Sequence, residues 1–176
     1  MRRIFLIGYM GAGKTTIGRA LARRMGISYI DTDSFIENRY HGRISDIFAS
    51  IGEERFRDIE RRVLDEVSEF EDIVISTGGG LPCFNDNMSV MNTKGTTVYL
   101  MAPVEELAAR LEVGKTVRPV LKGRSGDELV DFIRENLEQR RHFYEQAQIW
   151  LDSAKMDDDR AVDVLTEQLI HLIDEH

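Results

Sequence analysis

The strongest constraint on the fold lies near the start of the chain, where an apolar segment leads into a glycine-rich loop and then into a helical pattern. Arg3–Ile7 is typical of a short buried strand. Residues 8–15 read Gly-Tyr-Met-Gly-Ala-Gly-Lys-Thr and fit the pattern G-x-x-x-x-G-K-[ST] at every fixed position. Ile17, Leu21 and Met25 then follow at helical spacing. A strand, this loop and a helix together predict a binding site for phosphate groups.

The residue types in the loop suit phosphate chemically. Glycines allow consecutive N–H groups to converge on phosphate oxygens, and the helix N-terminus adds partial positive charge. The ammonium of Lys14 can reach the β- and γ-phosphates, and the Thr15 hydroxyl can ligate Mg²⁺. A plain tight turn would also use glycines, but the complete motif in this context rarely arises by chance. The predicted phosphate-binding residues are Gly11, Ala12, Gly13, Lys14, Thr15 and Thr16.

The rest of the chain alternates short apolar runs with helical patterns. Strands are predicted at 3–7, 28–30, 73–76, 97–101 and 149–152, and helices at 14–25, 34–40, 44–70 (with a turn near Gly52), 85–92, 105–111, 127–147 and 161–173. This alternation predicts an α/β fold, with a five-stranded parallel sheet covered by helices on both faces. Neither a repeat nor a Pro/Ser-rich linker appears, so we expect one domain over 1–176.

Composition narrows the function. The 176 residues carry 23 Lys and Arg against 31 Asp and Glu, a net charge of −8. General nucleic-acid binding needs a basic face, which makes this acidic chain a poor candidate for it. Any anionic ligand must therefore be held by a local cluster of basic side chains. The single cysteine, Cys83, excludes an internal disulfide framework, and the four histidines lack metal-ligand spacing. Without a membrane-length apolar run, we expect a cytoplasmic protein with neither nucleic-acid nor membrane partners.

Two classes of nucleotide enzyme fit poorly. GTPases use an N-K-x-D motif, and the nearest string, Asn-Thr-Lys-Gly at 92–95, lacks both the Asn-Lys pair and the aspartate. Many ATPases hold Mg²⁺ with a carboxylate at the end of a second apolar strand. The best such strand, at 73–76, is followed by Thr77 and Gly78 instead. Small-molecule kinases remain as the class that fits. In such a kinase, a carboxylate elsewhere in the chain must hold the Mg²⁺.

Two carboxylates follow the second predicted strand. Asp31 and Asp33 are two positions apart, which in extended chain places both side chains on one face. The carboxyl ends of parallel strands line the ligand crevice, so one could hold Mg²⁺ through water while the other positions or deprotonates an acceptor hydroxyl. Asp33, or Ser34 with Glu37, could equally cap the next helix. The residues alone leave both interpretations open, and the two are compatible.

An ordered set of motifs resembles shikimate kinase. It comprises the loop through Gly18, Asp-Thr-Asp at 31–33, Asp-Ile-Phe at 46–48, Gly-Glu-Glu-Arg-Phe-Arg at 52–57, Gly-Gly-Gly at 78–80 and Arg-Pro at 118–119. The set runs from about residue 4 to residue 144. The resemblance implies a P-loop kinase that uses ATP and Mg²⁺ to phosphorylate the 3-hydroxyl of shikimate, a step of aromatic amino acid biosynthesis through chorismate.

The resemblance also implies roles for single residues. Asp33 orients or deprotonates the hydroxyl, and Asp31 reaches Mg²⁺ through water, with Thr15 as the direct ligand. Arg57 and Arg140 hold the shikimate carboxylate, to which their guanidinium forks are suited. Gly79 adds a backbone contact, in a shikimate-binding region at about 33–62.

The resemblance further implies a lid and contacts to the adenine. A mobile lid at about 112–126 brings Arg118 to the transferring phosphate, although an ordinary exposed loop would look similar. Arg110 and Lys155 are the candidates beside adenine. The family often shows Arg-x-Pro-x-Tyr, and here His142 replaces the proline; the spacing to Tyr144 favours Arg140 over Arg141.

Two other functions remain as alternatives. One is a kinase for another small polyol or sugar acid, such as gluconate, on the same loop. The other is a non-catalytic nucleotide-binding partner, against which the intact Lys14, Thr15, Asp31 and Arg118 argue. We expect a monomer.

Overall fold

The computed structural model describes residues 1–114 and 123–176. Its elements alternate along the chain, as the pattern of apolar runs predicts. They are β1 (Arg3–Ile7), α1 (Lys14–Met25), β2 (Ser28–Asp31), α2 (Thr32–Tyr40), α3 (Ile44–Ile51), α4 (Glu53–Val67), β3 (Ile73–Ser76), α5 (Asn87–Lys94), β4 (Thr96–Met101), α6 (Val104–Val113), α7 (Gly126–Tyr144), β5 (Ile149–Asp152) and α8 (Asp159–Glu175). A short 3₁₀ turn, Leu81–Cys83, follows β3.

The five strands form one parallel sheet in the order β2-β3-β1-β4-β5. In β1, the four consecutive residues from Ile4 to Ile7 are each at most 1% exposed. Successive side chains of a strand point to opposite faces, so helices must cover both faces of the sheet. This confirms the predicted fold class.

Three adjacent strands bring the sequence motifs together. β1, β3 and β2 are neighbours, with Leu6 beside Ser76 and Ser76 beside Asp31. Each of these strands therefore ends at the same edge of the sheet. The phosphate loop, Asp31 with Asp33, and the glycines at 78–80 leave the sheet side by side at that edge, where parallel α/β proteins bind ligands.

The structure corrects the geometry expected for the two aspartates. α2 begins at Thr32 rather than Ser34, because the Asp31 carboxylate accepts a hydrogen bond from the backbone N–H of Ser34 at 3.0 Å and caps the helix. Asp33 therefore lies in the first helical turn, and the argument from extended spacing is wrong. The cap is Asp31, whereas the sequence suggested Asp33 or Ser34.

Other boundaries shift by a few residues, and the stretch at 44–70 divides at Gly52 into α3 and α4. The predicted lid at about 112–126 falls largely on residues 115–122, which lie outside the described residues together with Arg118. Within 1–114 and 123–176, none of the helices combines the length and apolar character that a bilayer span requires.

Candidate active site

The phosphate loop takes a conformation that requires glycine. Gly8 has a φ of 144°, and a Cβ there would lie 2.6 Å from the backbone oxygen of Leu100 on the neighbouring strand β4. Gly13, with a φ of 98°, is the N-cap of α1 and has no side chain with which to cap the helix. The first N–H groups of α1 are thus left for an external acceptor, as in a phosphate site.

Lys14 lies back over this loop. Its Nζ donates to the backbone oxygens of Gly8 at 2.7 Å and Tyr9 at 2.9 Å. Carbonyl dipoles orient an ammonium without cancelling its formal charge. These contacts therefore hold the Lys14 charge at the mouth of the loop.

Two buried serines fix the loop from behind. The Ser76 hydroxyl, at the end of β3, donates to the backbone oxygen of Lys14 at 3.0 Å. The Ser153 hydroxyl, just after β5, lies 2.7 Å from the backbone oxygen of Ala12 and 3.0 Å from that of Met101. Both serines have no exposed surface. The loop is consequently tied to both halves of the sheet.

Arg110 ties the loop to the segment after β5. Its guanidinium donates to the backbone oxygens of Gly11 at 3.2 Å, Ser153 at 2.6 Å and Ala154 at 2.9 Å. The candidate adenine contact is therefore also a structural link between two backbone segments. Lys155 directly follows this link and is exposed.

The predicted magnesium ligands lie on either side of Ser76. Asp31 pairs with Ser76 across the sheet, and the Ser76 hydroxyl binds the carbonyl of Lys14, the residue before Thr15. The donors offered are one hydroxyl and one carboxylate, both of the hard oxygen type that Mg²⁺ prefers. Among the residues described, no group of three or more His, Cys, Asp or Glu forms a metal cage. The donor set fits a Mg²⁺ that keeps most of its ligands as water and phosphate oxygens.

The glycine run at 78–80 is the centre of the predicted acceptor site. A Cβ on Gly78 would lie 2.6 Å from Oδ1 of Asp33, one on Gly79 3.4 Å from Nη1 of Arg140, and one on Gly80 2.7 Å from Nη1 of Arg57. Each glycine thus abuts a different one of the three predicted acceptor-binding side chains. The Gly78 N–H also donates to the buried Thr32 hydroxyl at 3.0 Å, which joins α2 to this run.

This run also lies against the phosphate loop. A Cβ on Gly79 would be 3.6 Å from both the backbone oxygen of Gly8 and the backbone nitrogen of Met10. Gly79 therefore lies between the phosphate loop and the Arg140 guanidinium, with Asp33 and Arg57 at the glycines on either side of it.

Arg57 is held by a residue that sequence reasoning missed. Its Nη1 lies 2.6 Å from Oε2 of Glu60, whose side chain is only 3% exposed. Burial raises the pKa of Glu60 to about 7, and the charge of Arg57 opposes that rise. The helical spacing of three residues could have suggested this pair. Its burial also has a sequence signal, because Glu60 lies four residues after Phe56 and four before Leu64, on the apolar face of α4.

Aromatic rings complete the surroundings of Arg57. The guanidinium carbon lies 4.0 Å from the ring centroid of Phe84 and 5.5 Å from that of Phe56. Phe48 packs on Phe56 with 5.3 Å between ring centroids. Burial raises the pKa of the nearby Cys83 thiol to about 11, so it remains a neutral thiol.

Comparisons with known proteins agree with this geometry. The sequence profile of the shikimate kinase family matches residues 10–170. The shikimate kinase of Parabacteroides distasonis is 60% identical over 171 residues, which cover 97% of this chain and 94% of that protein. The chain belongs to the shikimate kinase family. It is therefore an ATP-dependent phosphotransferase of the P-loop kinase fold, as the motifs predict.

Solved shikimate kinases have the same architecture. The crystal structure of the enzyme from Bacteroides thetaiotaomicron, at 1.7 Å, matches with a TM-score of 0.96 and 47% identity, covering 98% of both chains. The shikimate kinase of Acinetobacter baumannii in complex with shikimate matches with a TM-score of 0.86 and 33% identity, covering 99% of this chain and 94% of that one.

Proposed function

We propose that this chain transfers the γ-phosphate of ATP to the 3-hydroxyl of shikimate, releasing shikimate 3-phosphate and ADP for aromatic amino acid biosynthesis. The observation that carries the proposal is the glycine run at 78–80, which abuts Asp33, Arg140 and Arg57 and lies against the phosphate loop. A small acid that bears hydroxyl groups matches this arrangement. Its carboxylate can meet the two guanidinium groups while a hydroxyl group meets the Asp33 carboxylate.

Asp33 acts on the acceptor hydroxyl. Its carboxylate lies in the first turn of α2, against Gly78. A carboxylate here can accept the hydroxyl proton and direct an oxygen lone pair toward the phosphorus. Whether the proton moves before or during transfer, the orienting role is the same.

Arg57 and Arg140 hold the shikimate carboxylate. They approach the glycine run at Gly80 and Gly79, so their forks converge on one place. Guanidinium groups bind a carboxylate through paired N–H donors, which a lysine cannot reproduce. A carboxylate held there fixes the ring, and Gly79 supplies a backbone contact to it.

The phosphate side uses the loop and the cations around it. Lys14 and the N–H groups of residues 11–16 hold the triphosphate, and Thr15 with Asp31 would hold Mg²⁺. When bound, Mg²⁺ supplies positive charge that offsets the charge of the phosphate oxygens. Arg118, in a lid at about 112–126, adds a further cation, and Arg110 with Lys155 lies beside the adenine.

The domain assignment, the cellular location and the oligomeric state belong to the same proposal. We assign residues 1–176 to one kinase domain, with the shikimate-binding region at about 33–62. The chain acts as a cytoplasmic monomer, with no nucleic-acid or membrane partner.

The deciding experiment measures ADP release by the purified chain with Mg²⁺ and ATP, with and without shikimate. We expect release that depends on shikimate, with shikimate 3-phosphate identified by ³¹P NMR. Gluconate serves as the competing acceptor. Turnover with gluconate but not with shikimate would replace the proposed substrate, and ATP binding without turnover on either acceptor would replace the proposed activity by a binding role.

A further inference from the structure

We propose that Tyr144 is a positioning residue for the acceptor, whose hydroxyl fixes the backbone at Gly79, against which the guanidinium of Arg140 packs. The inference rests on the proposed function, because it assigns these two groups to shikimate. It adds a residue that itself does not touch the substrate.

The first contact is a short hydrogen bond. The Tyr144 hydroxyl donates to the backbone oxygen of Gly79 at 2.6 Å. Tyr144 has no exposed surface and lies in the last turn of α7, whereas Gly79 lies in the loop after β3. The hydrogen bond therefore joins two elements separated by 65 residues.

This hydrogen bond fixes the orientation of one particular peptide unit. The neighbouring carbonyls of the run are held locally, that of Gly78 by the N–H of Leu81 at 3.1 Å and that of Gly80 by the N–H of Cys83 at 3.0 Å. The Gly79 carbonyl, in contrast, is held by a distant side chain. Because glycine torsions are otherwise free to vary, Tyr144 fixes the plane of the peptide between Gly79 and Gly80.

The second contact at Gly79 is with Arg140, one helical turn before Tyr144. A Cβ on Gly79 would lie 3.4 Å from Nη1 of Arg140. The peptide that Tyr144 anchors is therefore the one against which this guanidinium packs.

The hydroxyl keeps its proton under all working conditions. Burial is the main cause that raises the pKa of Tyr144, and the charge of Arg140 only partly opposes the rise. A neutral phenol can donate to a carbonyl, whereas a phenolate could not. The direction of the hydrogen bond follows from the Gly79 carbonyl, which can only accept.

The tyrosine in the Arg-x-x-x-Tyr spacing therefore has a physical task. Tyr144 and Arg140 belong to the same helix, so the anchor at Gly79 holds the glycine run at a fixed distance from the helix that carries the guanidinium. Both groups face the same ligand. Preorganisation of this kind reduces the ordering that binding would otherwise require.

The test is Tyr144→Phe, with Tyr99→Phe as the matched control. The two rings pack with 5.2 Å between centroids and both are buried, but Gly79 accepts its hydrogen bond from Tyr144. We expect Tyr144→Phe to raise KM for shikimate roughly tenfold, since a buried carbonyl loses its donor. KM for ATP should stay within about twofold, and Tyr99→Phe should leave both KM values within that range.

A rescue experiment separates positioning from general stability. Incorporation of 4-aminophenylalanine at position 144 restores a donor on the same ring position, and we expect KM for shikimate to return to within about threefold of the unmodified enzyme. A Tyr144→Phe enzyme that raises both KM values equally, or that behaves like Tyr99→Phe, would overturn the proposal. So would a failure of the amino group to restore KM. Absence of shikimate turnover in the unmodified chain would instead refute the proposed function.

Discussion

Glu60 offers the most direct test of the electrostatics of the site. Its carboxylate is buried and 2.6 Å from Arg57, and its pKa is raised from 4.5 to about 7, mainly by burial. Between these two values the folded protein holds a proton that the unfolded chain has lost. Rising pH therefore favours unfolding across this interval, and the loss of stability is complete above the folded pKa. The perturbation that isolates the effect is Glu60→Gln, a neutral side chain of nearly the same shape.

The magnitude follows from the two pKa values. The interval from 4.5 to about 7 corresponds to about 3 kcal/mol of unfolding free energy at pH 8. A glutamine at position 60 does not titrate and can still accept a hydrogen bond from Arg57. From pH 5 to pH 8 we expect the variant to gain about 2–3 kcal/mol of stability relative to the unmodified protein. Such a gain agrees with the general finding that a buried ion pair stabilises little when burying its charges is costly.

The assay is urea unfolding at pH 5, 6, 7 and 8, followed by circular dichroism. Glu53→Gln is the control, because Glu53 lies 3.4 Å from the same guanidinium of Arg57 but its side chain is 57% exposed. The unfolding free energy of that control should change with pH as that of the unmodified protein does. If the unfolding free energy of Glu60→Gln showed the same pH dependence, the assignment of a raised pKa to Glu60 would be refuted.

Three further outcomes are expected. Asp33→Asn should lower turnover at least about 100-fold while ATP affinity, measured by calorimetry, changes less than about twofold; turnover near the unmodified level would exclude Asp33 as the acting carboxylate. Gly80→Ala should raise KM for shikimate roughly tenfold, because the new methyl group would meet the Arg57 guanidinium at 2.7 Å, whereas Gly42→Ala meets only ordinary contacts at 3.6 Å and should leave KM unchanged. Ser153→Ala should destabilise the fold in urea by about 1–3 kcal/mol, because the Ala12 carbonyl loses this donor while the Met101 carbonyl keeps the backbone N–H of residue 153, and should raise KM for ATP more than KM for shikimate; equal effects on the two KM values would contradict a role at the phosphate loop.

The sequence predicts the fold well where its signals are local. The strands at 3–7, 73–76 and 149–152 have the predicted bounds, because short apolar runs are bounded by polar residues or glycine. The phosphate loop is equally local, since its glycines, lysine and threonine act within eight consecutive residues. The signals that set helix ends are less local. α2 begins two residues early because a side chain in the preceding strand, Asp31, caps it.

The acceptor site shows what sequence patterns could not supply. Arg57 and Gly79 are indicated by their motif blocks, but that Arg57 abuts Gly80 and Arg140 abuts Gly79 depends on how α4 and α7 pack beside β3. The burial of Glu60, in contrast, has a sequence signal that was overlooked, since its spacing from Phe56 and Leu64 places it on the apolar face of α4. Only the packing of that face beside the glycine run had to come from the structure.

The pairing of charges also explains how an acidic chain can bind anions. With a net charge of −8, the protein as a whole repels phosphate and carboxylate. At the site, Lys14 donates to two backbone carbonyl oxygens, and Arg57 is held by the carboxylate of Glu60. Arg140, within the part of the chain that the structure describes, has no carboxylate within 4.0 Å. An incoming carboxylate therefore meets the charge of Arg140, while Arg57, already paired with Glu60, contributes the geometry of its donors. The sign of the ligand is set by the local arrangement of these cations, and net charge does not reveal it.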